Sequence, residues 1–389
     1  MQPQQGWRTL GGRGIIAADA VPAPESGSAG SANRAVSPMK SGVQPRGWSA
    51  SVLPALLLLL AGCGGVEKFP QTSLVPRSDF AREIDGLFWL TVILGSLVAL
   101  AVFVVSAYIM LRFRYRPDSP EPKQVHGNTT LELAWTLIPA VLLAIIAVPT
   151  VNTIFATQPT NPPPNALEVD VVGWQWWWEF KYPTADGDTL ITANEIHVPV
   201  GTPIALRLRG GDVIHSFWVP QMGGKRDVIP NRINTILFTP EEPGVYLGQC
   251  AEFCGESHAL MKMRLIAHTP AGFQRWVRNE YSPAVAPFDP APTLADSAIL
   301  LGSKLFASKG CIACHTIDGL PAAVGRLGPN LTHLASRHTI AAGILENNTT
   351  NLERWINNPQ AVKPGALMEN LGWTPREVEY IVAYLQTLQ

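Results

Sequence analysis

Two long stretches of this chain carry no charge, Leu87–Leu111 and Leu133–Phe155. At about 1.5 Å per residue either can cross a bilayer with some tilt. The pattern predicts a transmembrane hairpin within 86–156, with helices over about 87–111 and 132–155. Pro139 and Pro149 lie inside the second run, where neighbouring helices can re-satisfy the backbone groups. Arg112, Arg114, Arg116 and Lys123 crowd the connecting loop, whereas the next basic residue after the second run is Lys181. That asymmetry puts the loop in the cytoplasm, and everything after residue 155 on the outer face.

Past the stiff "QPTNPPPN" at 158–165, the pattern changes to short apolar runs bounded by Gly, Pro, Asn and Asp, such as "TPIALRLRG" and "NTILFTP". This spacing predicts an all-β sandwich or barrel over 166–270. Within it "GWQWWWEF" reads as one alternating strand, Trp174, Trp176 and Trp178 pointing one way and Gln175 and Trp177 the other. Residues 282–293 read as a second Pro-rich linker. Helical patterns return over 294–389, most clearly at the end. There Thr374 as N-cap, Pro375 at N1 and Glu377 at N3 make a capping box, ahead of an apolar stripe of Val378, Ile381, Val382 and Leu385.

Residues 1–38 are rich in Gly, Ala, Ser and Pro without a hydrophobic period, and read as a disordered or non-native extension. Residues 39–62 read as a signal peptide: Lys40 and Arg46 precede the short apolar Val52–Ala61. "LAGC" then places Cys63 where cleavage is expected, which resembles the lipobox of bacterial lipoproteins. It implies lipidation of Cys63 and a mature chain that opens there, with 63–85 as an outer N-terminal segment.

Composition adds that 47% of residues are hydrophobic and that the net charge is −1. The first fits membrane segments; the second offers no bulk attraction for nucleic acid. The five cysteines are Cys63, Cys250, Cys254, Cys311 and Cys314, an odd count that argues against a simple disulfide framework.

The last four cysteines form two close pairs. In "QCAEFCGESHALM" Cys250 and Cys254 are followed by His258 and Met261. Thiolate, thioether and imidazole together suit copper, and a structural zinc site would more often pair two cysteines with a second Cys/His pair and no methionine. A second histidine is needed; His215 in "GDVIHSFWVP" is the candidate, and His197 and His268 are rivals in ordinary strand patterns. Asp212 reads either as a turn residue or as a docking contact for a basic donor. "CIACH" is the c-type haem attachment signature, with Cys311 and Cys314 as thioether positions and His315 as axial ligand. Met368, in the Pro/Gly loop "KPGALMEN", is the only methionine after it and suits the distal position; His333 and His338 compete.

The stretch "CAEFCGESHALM" with the upstream "DVIHSF", the two hydrophobic helices, "AWTLIPA" and "GWQWWWEF" resembles the copper-A subunit, subunit 2, of cytochrome c oxidases over about residues 70–270. The terminal haem signature makes the chain resemble those subunits that carry a fused cytochrome c domain. The resemblance implies a cupredoxin-like barrel and then an all-α class I cytochrome c domain. It implies a binuclear copper A held by His215, Cys250, the backbone carbonyl of Glu252, Cys254, His258 and Met261. A magnesium ion would sit at the Glu252 carboxylate on the border with subunit 1. It makes Trp176 the exposed ring through which electrons arrive, and Glu132 the mouth of a proton path. Implied partners are subunits 1 and 3, a c-type cytochrome donor and the bacterial plasma membrane, with oxygen reduction and proton pumping on subunit 1. Two other oxidoreductases compare less well: nitrous oxide reductase shares the copper loop but is soluble, and quinol oxidase subunit 2 lacks the copper ligands. A membrane electron carrier not tied to one oxidase is the remaining reading.

Overall fold

The computed structural model describes residue 65 and residues 69–118, 120–158, 161–183, 187–282 and 294–389. The expectations for residues 1–62, for Cys63 and for most of the 282–293 linker lie outside the described residues.

Both hydrophobic runs are helices, and they pack side by side: α1 is Asp79–Arg112 and α2 is Thr129–Thr157. Their apolar side chains face outward along the whole hydrophobic window, a surface that water cannot solvate favourably and that calls for lipid or a partner. The structure corrects the start of α1, which begins eight residues before the uncharged run. Asp79, Arg82, Glu83 and Asp85 exclude that turn from an apolar span, but tertiary bonds support it. Ser78 caps it by accepting from Ala81 N, and its Oγ donates to Met222 O at 2.8 Å. Thr239 N donates to Asp79 Oδ1, and Arg82 pairs with Glu241. The first turns of α1 thus belong to the β-domain. Asn128 caps α2 by accepting from Leu131 N, and Glu132 Oε1 accepts from Asn128 N at 3.2 Å.

The β-domain is two five-stranded sheets. In chain order the strands are β1 Leu167–Trp174, β2 Trp177–Pro183, β3 Thr189–Ala193, β4 Glu195–Pro199, β5 Ile204–Gly210, β6 His215–Trp218, β7 Arg226–Val228, β8 Asn234–Phe238, β9 Gly244–Cys250 and β10 Lys262–His268. One sheet runs β3-β2-β1-β5-β8 and the other β4-β10-β9-β6-β7. Alternate residues meet in a shared core that includes Val169, Val171, Trp178, Phe180, Leu206, Leu208, Phe238 and Leu265. Each fully buried large side chain contributes about 1.5–3 kcal/mol, so loops at the sandwich ends are held by a stiff frame. "GWQWWWEF" departs from the single-strand expectation. It turns at Gln175–Trp176, and Trp174 pairs with Trp177 across a tight antiparallel hairpin. Helix α3, Pro270–Glu280, capped by Thr269, lays Trp276 flat on the His197 ring at 4.3 Å.

The C-terminal domain has helices α4 Leu294–Ser308, α5 Thr349–Asn357, α6 Pro359–Val362 and α7 Pro375–Leu385, with a two-residue ladder of β11 Thr339–Ile340 and β12 Leu345–Glu346. The capping box at Thr374 and Glu377 is present, and Val378, Ile381, Val382 and Leu385 are buried. Helices α4 and α7 touch at Gly302, where a Cβ would lie 2.0 Å from Tyr380 O.

Candidate functional site

The hairpin of β9 and β10 builds the sulfur cluster. Register pairs Lys262 with Gln249, and Cys250 N donates to Met261 O at 2.9 Å, so both ends of the 250–261 loop meet on one spot. Strand β6 lies alongside, Phe217 opposite Cys250, which delivers His215. Inside the loop, His258 N donates to Gly255 O, and the resulting single turn swings the His258 ring back over Cys254.

Cys250 Sγ and Cys254 Sγ are 3.8 Å apart; His215 Nδ1 is 3.9 Å from Cys250 Sγ, His258 Nδ1 3.6 Å from Cys254 Sγ, and Met261 Sδ 3.9 Å from Cys254 Sγ. The Glu252 carbonyl oxygen is 3.3 Å from Cys250 Sγ, while its side chain is exposed. His215, Cys250 and Met261 are buried. Two sulfurs flanked on each side by a neutral donor suit a pair of soft metal ions bridged by the thiolates. A single tetrahedral ion would leave two of the six donors over. Electrostatics point the same way. The Cys254 thiol beside it holds Cys250 down at about 3 against the effect of burial, and Cys254 rises in turn because Cys250 and its own burial resist a second negative charge. Only cations between the sulfurs stabilise both as thiolates.

Asp212 has a role the sequence reading did not assign. Its Oδ1 lies 2.9 Å from His215 Nε2 and accepts from Val213 N, and its Oδ2 accepts from Gln175 N at 2.7 Å. It fixes the imidazole with Nδ1 toward the sulfurs. Burial lowers the affinity of His215 for a proton, but the bonds to Asp212 and Cys250 outweigh it and raise the group. The rivals His197 and His268 bond to each other, Nδ1 to Nε2 at 2.9 Å, away from the cluster.

Trp176 corrects an expectation: it is buried, not exposed. Its indole N–H donates to Cys254 O at 3.0 Å, beside Gln175 Nε2, which donates to the same oxygen at 2.7 Å. Lys363 of the C-terminal domain is buried beside it, with Nζ donating to the Trp176 backbone carbonyl at 2.5 Å.

In the C-terminal domain Cys311 and Cys314 share one short turn, and His315 N donates to Cys311 O. His315 Nδ1 bonds to Pro329 O at 2.8 Å, so Nδ1–H is the donor and Nε2 stays available to an iron. Gly328 lies flat against the ring; a Cβ there would meet Cε1 at 2.6 Å. Met368 packs half-buried against the domain core. His333 has both ring nitrogens on carbonyls, of Gln389 and Glu280, and His338 Nδ1 lies 3.4 Å from Glu195. The donor set therefore fits a covalent haem with His315 on one side.

Three family descriptions match in chain order: cytochrome c oxidase subunit II, transmembrane domain, over residues 74–153; its periplasmic domain over 184–267; and cytochrome c over 299–389. A cytochrome c oxidase subunit 2 from Alkalihalophilus pseudofirmus is 38% identical, covering 87% of this chain and 96% of that protein. One from Bacillus sp. (strain PS3) is 35% identical with the same coverages. A quinol oxidase subunit 2 from Bacillus cereus is 32% identical, covering 59% of this chain and 79% of that protein. Two apolar spans followed by a periplasmic-type β-domain and a cytochrome c domain make this a membrane protein with an oxidase electron-transfer role, and the two domains imply copper A and haem.

Proposed function

Because the chain belongs to the cytochrome c oxidase subunit 2 family, we propose that it receives electrons from a c-type cytochrome on its haem c and relays them through copper A to subunit 1. There oxygen is reduced to water and protons are pumped. The observation that carries this is the pairing, on one chain, of a two-thiolate cluster and a Cys-Cys-His haem turn. The same pairing favours cytochrome c oxidation over quinol oxidation.

When bound, the copper pair and the haem would each supply one-electron chemistry. His215, Cys250, Cys254, His258, Met261 and the Glu252 carbonyl would hold the coppers; Cys311, Cys314, His315 and Met368 would hold the haem. The protein's own contribution is fixity. The strands β6, β9 and β10 hold the sulfur loop still, and Asp212 keeps His215 from rotating, so little rearranges as charge passes. The exposed Glu252 carboxylate is the proposed magnesium contact at the border with subunit 1, and Glu132, at the head of α2, the mouth of a proton path. The hairpin anchors the chain in the bacterial plasma membrane with subunits 1 and 3, aided by a lipid on Cys63.

The test is purification of the full chain in mild detergent with metal and haem assays. Two coppers, one covalent haem and a co-purifying multi-span haem–copper subunit are expected. Zinc uptake, or recovery without such a subunit, would overturn the assignment. Intact mass tests the lipid: a mass that includes residues 1–62 ends that part.

A further inference from the structure

Strand β4 opens with Glu195, whose side chain is fully buried. Each hydrogen bond described for its carboxylate comes from the C-terminal domain. Thr339 donates twice to Oε1, from N at 2.7 Å and from Oγ1 at 2.6 Å, and His338 N donates to Oε2 at 3.0 Å. A buried carboxylate without such donors is costly; with two backbone N–H groups and a hydroxyl it becomes a strong, directional anchor. The loop that supplies these donors continues into the β-domain. Ala342 is buried against Trp177 and Ala193, and its carbonyl accepts from Lys262 N at 3.0 Å, one residue past Met261.

A second contact lies over the sulfur loop itself. Lys363 is buried on the Trp176 carbonyl, and Ser257 Oγ donates to Pro364 O. Lys363 and Pro364 precede Met368 in the same loop. The two contacts together cover the hairpin that carries Trp176 and one flank of the 250–261 loop.

We propose that Glu195 is the docking residue that seats the C-terminal domain on the sulfur loop, and that the seated domain closes this face to outside donors. The haem domain is then the obligatory port. With both groups bound as proposed above, the haem would take the electron that the donor gives up, and the copper pair would take it in turn. Trp176 lies on that inner route as a covered ring rather than a surface one. This rests on the function proposed above for the metals; the docking itself does not.

The test uses the full-length chain with Glu195→Ala, Glu195→Gln and, from the opposite side, Thr339→Val. The first readout is acylation of Lys363 by an amine-reactive ester, followed by mass spectrometry. Wild-type Lys363 should resist labelling, and Glu195→Ala should speed it by about tenfold or more, as expected for loss of charge-assisted bonds. Glu195→Gln and Thr339→Val should fall between. The second readout is the order of reduction by a soluble c-type cytochrome in the assembled oxidase. In the wild type the haem band should reduce before the copper band; in Glu195→Ala the copper band should acquire a direct, donor-concentration-dependent phase, with both absorption spectra unchanged. Free labelling of Lys363 in the wild type, protection unchanged in every variant, or direct copper reduction in the wild type would each overturn the proposal. Absence of copper or haem would instead sink the function proposed above, and the labelling would still report on docking.

Discussion

Replacing Asp212 by alanine isolates the contribution of a single side chain to the proposed copper site. The carboxylate takes three bonds at once: His215 Nε2 at 2.9 Å, Gln175 N at 2.7 Å and Val213 N at 2.6 Å. Removing it leaves the fully buried His215 ring without its orienting partner and frees the turn that leads into β6. Loss of such a partner typically weakens metal binding 10–100-fold, equivalent to about 1.4–2.8 kcal/mol. Two backbone N–H groups lose an acceptor as well, but Asp212 is partly exposed, so water can take over those bonds. The expected result is therefore copper loss within this range, not unfolding. Competition against a chelator of graded concentration, read by the thiolate–copper absorption, measures it; circular dichroism should be unchanged. Asp212→Asn keeps an acceptor for His215 and should recover most of the affinity. Copper retention in Asp212→Ala equal to wild type would refute the idea that the carboxylate holds the ring.

Further outcomes follow from packing and charge. Gly302→Ala places a methyl against Tyr380 O and Tyr384 Cβ; separating α4 from α7 costs at least about 1–3 kcal/mol, and hydrogen exchange along 375–385 should accelerate strongly. Thr374→Ala removes the capping box and should cost about 1 kcal/mol, visible as a small drop in the melting temperature of the C-terminal domain. Docking should also depend on pH. Burial opposes ionisation of Glu195, but the bonds from His338 and Thr339 outweigh it and hold the group below its ordinary value of 4.5; this stability is present above that value and is lost as pH falls through the lowered one. Glu195 raises His338 above 6.5, so that half is present below 6.5 and is lost as pH rises through the raised value. Arg264 and His268 on β10, His197 on β4, Glu280 on α3 and Arg337 share this neighbourhood. Protection of the Thr339 amide, corrected for intrinsic exchange, should peak between these limits and fall mainly on the acid side, where the backbone donors lose their acceptor charge. A flat profile would count against the pair.

The membrane spans were legible because an uncharged run of such length has few other uses. The clustering of His215, Cys250 and Cys254 was legible because soft donors at fixed short spacings are rare. Other features were not. The extra turns of α1 are set by bonds to residues more than a hundred positions away, which no local pattern carries. The break at Gln175–Trp176 is hidden because four tryptophans near it suit either face of a strand. Helix α3 could have been found: Thr269 and Pro270 repeat the Thr-Pro start that marked α7. Glu195 and Lys363 gave no signal at all. A lone acid in a strand and a lone lysine in a loop become informative only when two domains close over them.

The anchoring of α1 through Ser78, Asp79 and Arg82 has a mechanical corollary. With no slack between span and sandwich, the sulfur loop inherits the rotational phase of the span. One residue inserted near Gly95 would turn everything outside by about 100°, whereas four would nearly restore the heading, about 6 Å further from the bilayer. The first turns of this helix act as a keyed shaft, aiming the sulfur loop as well as raising it.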